Sequence, residues 1–252
     1  MCTLSIITRE NGYLLGMNRD ERIARGAGLP PEFHESCGFQ AIYPSDGEGG
    51  TWIGGNEHGA AFAVLNWSDV IPQEVQPVKT HSRGGLVPAL IRSRTLQESQ
   101  QTLATLNCEG MLPFRLVGIF PAESRIGEWR WDLSKLDFTL HGWQARHWFS
   151  SSLSDLQAEG MRGNACRDAW KQSDAASSAW LRRLHASHGD APGPFSLCVH
   201  RTEVKTLSYT EIECTPEKLR MEHFLGSPCE TVAEGAIGHG TNYSLDLERS
   251  VS

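Results

Sequence analysis

Residues 2–21 read CTLSIITRENGYLLGMNRDE and contain two strand-like segments separated by a turn signal. Residues 3–8 alternate apolar and polar side chains, and residues 13–17 return after Asn11-Gly12. An Asn-Gly pair favours the positive φ angles of a two-residue hairpin turn. The pattern therefore predicts a β-hairpin that starts at Cys2 and whose second strand ends beside it.

Cys2 is the strongest candidate for chemistry. Removal of Met1 would leave one residue with both a thiol, of pKa about 8.5, and an α-amine, of pKa about 7.7 to 8.0. Such an amine can accept the proton of the thiol near neutral pH. The polar run Asn18-Arg19-Asp20-Glu21 faces Cys2 in the predicted hairpin, where a carboxylate can hold the amine and a guanidinium favours the thiolate. The alternatives are a buried structural cysteine and a solvated turn.

The rest of the chain alternates between strands and helices. After a loop at 26–31, strands are predicted at 40–43, 51–55, 60–66, 114–120, 128–132, 136–141, 147–150, 195–200 and 204–213. Helical blocks are predicted at 83–106, broken near Arg94, and at 154–188, broken at 173–174. This order predicts an α+β fold, a four-layer αββα sandwich of two antiparallel sheets, in one domain over 1–225. Residues 226–252 are predicted to be a C-terminal arm or tail, and 219–224 an edge strand.

Composition narrows the classes of function. The 252 residues carry a net charge of −7, which argues against a nucleic-acid partner and favours a small-molecule one. We expect no membrane span, because apolar runs are strand-sized, and no secretory signal, because Arg9 and Glu10 interrupt the N-terminus. Seven cysteines without a C-x-x-C pair indicate reduced thiols and a cytoplasmic location.

Several motifs carry a resemblance to known proteins. They are Met1-Cys2-Thr3, Gly16-Met17-Asn18-Arg19-Asp20-Glu21, Gly50-Thr51-Trp52-Ile53-Gly54, the Gly54–Asn66 segment GGNEHGAAFAVLN, and Ser82-Arg83-Gly84. Over about the first 95 residues the chain resembles the Asn-Arg-Asp-Glu family of transport-and-Golgi-organisation-2-like proteins. It is also similar to the cysteine N-terminal-nucleophile hydrolases of the choloylglycine hydrolase and penicillin V acylase group. That resemblance implies the αββα sandwich and hydrolysis of C–N amide bonds.

The resemblance also implies roles for individual residues. Cys2 would be the nucleophile, Asp20 the group that orients its amine, Arg19 the polarising cation and Asn66 the oxyanion donor. The chain departs from the acylases in three places. Asn18 stands where they have an arginine, only serines stand at 150–152 where they have an asparagine, and no arginine precedes Phe195.

Four further residues are candidates for binding substrate: Asn18, Trp52, Trp67 and Arg83. The tryptophans could equally fill the core, and capping by Ser82 could explain the segment around Arg83. His185 and His188 have helical spacing, but the sequence holds no HExxH motif or compact Cys/His cluster. We therefore expect no metal and no cofactor.

Three functions follow from these observations. The first is hydrolysis of a linear amide, or a related acyl bond, by a Cys2 nucleophile exposed by Met1 removal. The second is a non-catalytic carrier that binds haem or another amphipathic ligand in the same pocket. The third is an interaction domain in which the polar run only stabilises the hairpin.

Overall fold

The computed structural model describes residues 2–36, 38–70, 81–189, 191–231 and 240–247. Its strands are β1 (Cys2–Arg9), β2 (Gly12–Arg22), β3 (Leu29–Ser36), β4 (Phe39–Ser45), β5 (Ile53–Asn56), β6 (Ala61–Asn66), β7 (Phe114–Phe120), β8 (Arg125–Trp131), β9 (Leu136–His141), β10 (Arg146–Ser150), β11 (Val204–Cys214), β12 (Lys218–Leu225) and β13 (Thr241–Asp246). Its helices are α1 (Leu86–Leu90), α2 (Leu96–Thr105), α3 (Asp155–Ala169), α4 (Ser178–Ala186) and α5 (Pro228–Thr231).

These strands form two antiparallel sheets. The first sheet has the order β10-β1-β2-β11-β12-β13, and the second runs from β3 to β9 in chain order. Apolar side chains from both sheets, such as Leu4 and Phe62, form the core between them. Helix α4 packs on the outer face of the first sheet, and α1 covers Gly54 on the outer face of the second. The predicted α+β fold with two antiparallel sheets and outer helices is confirmed.

The N-terminal hairpin forms as predicted, with one difference in its turn. Cys2 lies opposite Arg19 in the ladder, and Arg9 lies opposite Gly12. The turn is therefore Glu10-Asn11 instead of Asn11-Gly12. Gly12 has a φ of +144°, and a Cβ there would lie 2.0 Å from the Cys214 carbonyl oxygen. The glycine is thus required by close backbone approach as well as by conformation.

Side-chain caps set the starts of the helices. Both predicted helical blocks break as expected, and Thr95 Oγ1 accepts a hydrogen bond from the Glu98 backbone N–H at 3.1 Å at the start of α2. Ser154 and Ser177 cap α3 and α4 in the same manner. Such caps satisfy backbone N–H groups that have no partner within the helix.

Two predictions about strands are corrected. Residues 29–36, partly predicted as loop, form β3, because a Pro-containing strand is tolerated at the edge of a sheet. Residues 195–200 do not form a strand, and only His200 makes an isolated bridge, to Lys205.

The C-terminal segment also differs from the predicted tail. Residues 219–224 lie within β12, which is not an edge, because Thr241–Asp246 pairs with it as β13. Residues 228–231 form α5, and Leu245 is buried in the core. Residues 232–239 and 248–252 of the predicted tail lie outside the described residues.

A β-bulge interrupts the pairing of β11 with β2. Thr206 lies opposite Asp20, and Ser208 lies opposite Arg19, so Leu207 is an additional residue in the ladder. Beyond the bulge, Tyr209 packs near His185 on the helical side, while Ile212 belongs to the core between the sheets.

Among the helices of the described ranges, none has both the length and the apolar character needed to cross a bilayer.

Candidate active site

A small cavity of about 90 Å³ opens beside Cys2. Residues from five separate segments of the chain line it, and six of them are candidates from the sequence: Cys2, Arg19, Asp20, Trp52, Asn66 and Arg83. The two sheets create this convergence, because β1 and β2 carry the first three residues and the second sheet carries Asn66 across from them.

The backbone of Cys2 is held on both sides. Its N–H donates to Ser150 Oγ at 2.8 Å, and Arg162 Nη1 donates to its carbonyl oxygen at 3.4 Å. The residue is 6% exposed, packs against the core between the sheets and lines the cavity. Burial raises the pKa of the thiol, and the Asp20 carboxylate also raises it, while the Asp20 backbone N–H and Arg19 oppose the shift. The thiol is therefore protonated at neutral pH and needs a base to become a nucleophile.

Arg19 lies on the same face of the sheet as Cys2, as its direct cross-strand neighbour. Its guanidinium carbon lies 4.5 Å from the ring centroid of Trp52, and its Nη1 donates to the Gly26 carbonyl. Burial lowers the pKa of Arg19 from its usual value. The stacked and hydrogen-bonded guanidinium is thus a fixed positive charge beside the thiol.

Asp20 points to the opposite face, toward the helical layer. Its Oδ1 accepts a hydrogen bond from Thr206 Oγ1 at 2.6 Å, and its Oδ2 lies 3.6 Å from Arg162 Nη2. Burial raises the pKa of this carboxyl, and Arg162 and Thr206 act against that shift. Within the described part of the chain, Oδ2 has no hydrogen-bond donor. A buried carboxylate oxygen of this kind is a ready acceptor for an ammonium group.

Asn66 ends β6 at the wall of the cavity. Its side-chain amide makes no hydrogen bond to any other described residue, so its N–H groups are available to a ligand. The chain just after it is fastened by Asp155, whose carboxylate accepts from the backbone N–H groups of Ser68, Asp69 and Ser151. Asn66 is therefore an available donor at the end of an anchored strand.

Arg83 belongs to a wall formed by two glycine segments. Gly84 packs against Gly50 so closely that a Cβ on Gly84 would lie 2.9 Å from the Gly50 Cα, and the Thr51 N–H donates to the Gly84 carbonyl. This contact explains why Gly50-Thr51 and Ser82-Arg83-Gly84 occur together. It places Arg83 in the cavity, with Nη1 donating to the Pro113 carbonyl.

Two predicted substrate-binding residues do not reach the cavity. Asn18 lies on the helical side of β2, where its amide donates to the carbonyls of His185 and Leu197. Adjacent strand residues face opposite sides, so Asn18 cannot share a face with Arg19. The ring of Trp67 lies instead beside the guanidinium groups of Arg115 and Arg130. The structure thus corrects the predicted positions of Asn18 and Trp67.

Two residues that contact Cys2 were not among the candidates. Ser150 lies in the 150–152 segment where the resemblance implied an asparagine. Arg162 comes from α3, is 1% exposed, and donates to the Cys2 carbonyl oxygen. Arg162 is spaced four residues from both Ala158 and Cys166, so the three side chains lie on the same buried face of α3. A charged residue on such a face indicates a buried partner.

Comparisons with known proteins place this arrangement in context. The family model described as Transport and Golgi organisation 2 matches residues 1–126. No curated protein matches the chain in sequence. The penicillin V acylase of Agrobacterium tumefaciens has a TM-score of 0.49 and 12% identity, and the match covers 88% of this chain and 82% of the acylase.

A cysteine-to-alanine mutant of conjugated bile acid hydrolase from Clostridium perfringens has a TM-score of 0.48 and 11% identity. That match covers 100% of this chain and 98% of the hydrolase. An arginine-to-leucine variant of the same hydrolase gives the same values.

Proposed function

The chain belongs to the Transport and Golgi organisation 2 family, and we propose that it is an N-terminal-nucleophile cysteine hydrolase that cleaves a linear amide C–N bond or a related acyl bond. The observation that carries the proposal is the convergence of the Cys2 thiol, the Arg19 guanidinium and the available Asn66 amide on one cavity. Ser150 Oγ accepts from the nitrogen that would become the amine, and the Asp20 backbone N–H acts on the thiol. The mechanism requires Cys2 to be the first residue of the mature chain.

The first step is attack on the carbonyl carbon of the substrate. The α-amine of Cys2 takes the thiol proton, and Sγ forms the new bond to carbon. Ser150 Oγ already contacts the Cys2 nitrogen, and Asp20 Oδ2 can accept from the resulting ammonium. The negative oxygen of the tetrahedral intermediate accepts a hydrogen bond from the Asn66 amide, where charge develops.

The second step breaks the C–N bond. The leaving amine takes a proton from the α-ammonium, and a thioester on Cys2 remains. Water then attacks the thioester, with the α-amine again as the base, and the acid and the free thiol are released. The ammonium formed from the water proton then protonates the departing thiolate, so in each half-reaction the α-amine passes the proton it takes to the leaving group.

The charges of the cavity define a substrate class. Arg25 is paired with Glu21 at 2.8 Å and lies 3.8 Å from Asp46, and Asp20 is paired with Arg162. Across the described residues, Arg19 and Arg83 form no ion pair with a carboxylate. We therefore expect a substrate with an anionic group, such as an N-acyl amino acid, whose carboxylate these arginines would bind.

The same lining disfavours the carrier function. Six charged residues surround a cavity of about 90 Å³, whereas an amphipathic ligand such as haem needs wide apolar walls. We also propose that the protein is located in the reducing environment of the cytoplasm, because the Cys2 nucleophile must remain a free thiol.

Intact-mass spectrometry with an acylating probe tests the proposal. We expect the purified protein to lack Met1 and to gain one acyl group on Cys2 from an activated ester with a carboxylate tail. The Cys108→Ser variant is the control, because Cys108 is another free thiol that does not line the cavity and its removal should not change labelling. A chain that retains Met1, or a probe attached elsewhere, would contradict the mechanism.

Arg83→Gln tests the substrate class. For an anionic amide we expect kcat/KM to fall about 10- to 100-fold, mainly through KM, because a hydrogen bond to a charged group contributes about 1.5–3 kcal/mol. Arg83→Lys should recover part of the loss, and Arg125→Gln, at an exposed position on β8, should have no effect. An equal loss of kcat/KM with a neutral amide would show that Arg83 does not bind the anionic group of the substrate.

A further inference from the structure

A second cluster of chemically active side chains lies near the start of β11, on the helical side of the first sheet. One ligand atom each from His188, Cys198, His200 and Cys229 lies within 4.8 Å of the other three. His188 follows α4, Cys198 and His200 lie in the connection to β11, and Cys229 belongs to α5. No metal is expected from the sequence, since the four residues are spread over 42 positions and form no compact motif.

The distances within this cluster match those of a tetrahedral zinc site. Cys198 Sγ lies 3.6 Å from His200 Nε2, and Cys229 Sγ lies 3.3 Å from the same nitrogen. Zinc bonds of about 2.3 Å to sulfur and 2.0–2.1 Å to nitrogen place a tetrahedral sulfur and nitrogen ligand about 3.6 Å apart. Both measured separations are close to that value.

Hydrogen bonding alone accounts poorly for this arrangement. Nε2 of His200 lies within reach of two thiols. A ring nitrogen either donates or accepts one hydrogen bond, so it cannot satisfy both. The rings of His188 and His200 lie 4.9 Å apart, and His188 Nε2 is buried without a hydrogen-bond partner in the described structure. Four groups that crowd together with unsatisfied polar atoms indicate a missing common partner.

We propose that His188, Cys198, His200 and Cys229 bind one Zn²⁺ ion in a structural site. Two thiolates and two imidazoles are a donor set that zinc prefers over magnesium or calcium, which select oxygen ligands. Four protein ligands complete the tetrahedron and leave no position for substrate. Cys198 is buried and the other three are half-buried, as a structural site requires.

The proposed zinc site is linked to Asp20, which lines the cavity, through Val199, the residue between the ligands Cys198 and His200. The Val199 N–H donates to Thr206 Oγ1 at 2.8 Å, and the Thr206 N–H donates to the Val199 carbonyl. Thr206 Oγ1 in turn donates to Asp20. A metal held by Cys198 and His200 would therefore fix the loop that positions Thr206, and through it the Asp20 carboxylate.

Metal analysis of the full-length protein tests this proposal. We expect one zinc per chain after purification under reducing conditions. Cobalt added to the chelator-treated protein should give the intense visible bands of tetrahedral Co²⁺ and the near-ultraviolet thiolate charge-transfer band. Cys198→Ser and Cys229→Ser should each remove the stoichiometric zinc, and zinc removal from the wild type should lower its Tm.

Cys166→Ser is the matched control, because Cys166 is a buried thiol on α3 outside the cluster, and this variant should keep its zinc. If the cluster variants do not fold, the zinc content and cobalt spectrum of the wild type still decide the question. Wild-type protein with free thiols that takes up neither metal would overturn the proposal. A Cys198–Cys229 disulfide in protein purified from a reducing compartment would also overturn it.

Discussion

Cys2→Ala is expected to reduce turnover of an anionic amide by at least about 10⁴-fold, because it removes the atom that forms the thioester. Met1 removal should be unaffected, since alanine is also small. The loss should appear in kcat, measured at saturating substrate, and circular dichroism should show that the two-sheet fold is retained.

Two further variants make this result specific. Cys214→Ala removes another buried thiol of the same core and should leave kcat unchanged. Cys2→Ser keeps the α-amine and substitutes a weaker nucleophile, so it should retain more activity than Cys2→Ala. Turnover that survives in Cys2→Ala would exclude the thiol mechanism altogether.

The second largest effect is expected at Asn66. Asn66→Leu keeps the approximate size of the side chain and removes its N–H donors, so kcat should fall about 10²- to 10³-fold. KM should change little, because the donor acts on charge that develops in the transition state. Steady-state kinetics with the same amide would measure both constants.

The control for Asn66 is Asn242→Leu on the edge strand β13, where the residue is exposed and does not line the cavity. Acyl transfer to Cys2 should slow in the Asn66 variant in proportion to kcat. If KM rises while kcat is unchanged, Asn66 binds substrate and does not stabilise an oxyanion.

The part of the site that lies within the hairpin could be predicted from local sequence. Turn chemistry and alternation set the register, and the register places Arg19 opposite Cys2. The same alternation also requires Asn18 and Asp20 to face the other side, because side chains along a strand alternate with a period of two residues. Helix caps such as Thr95 were predictable for the same reason, because they depend on residues three positions apart.

The remaining parts depend on contacts between distant segments. Arg162 and Ser150 are 160 and 148 positions from Cys2, and no local pattern states which helix or strand will meet the N-terminus. The proposed zinc ligands are likewise brought together only when α4 and α5 pack beside β11. Strand β13 has no clear local signal, because Pro and Gly lie near it in the sequence and its pairing with β12 comes from tertiary structure.

The extra residue at Leu207 determines which side chains of β11 face the helices and which face the core. Because of this extra residue, the alternation of side chains between the two faces of the sheet shifts by one position within β11. Thr206 and Tyr209 therefore both face the helices, although they are three positions apart. Without this shift, a strand that presents Thr206 to Asp20 would turn Ile212 out of the core and Glu211 into it. One continuous strand therefore supplies a hydroxyl to the carboxylate at one end and an aliphatic side chain to the interior at the other.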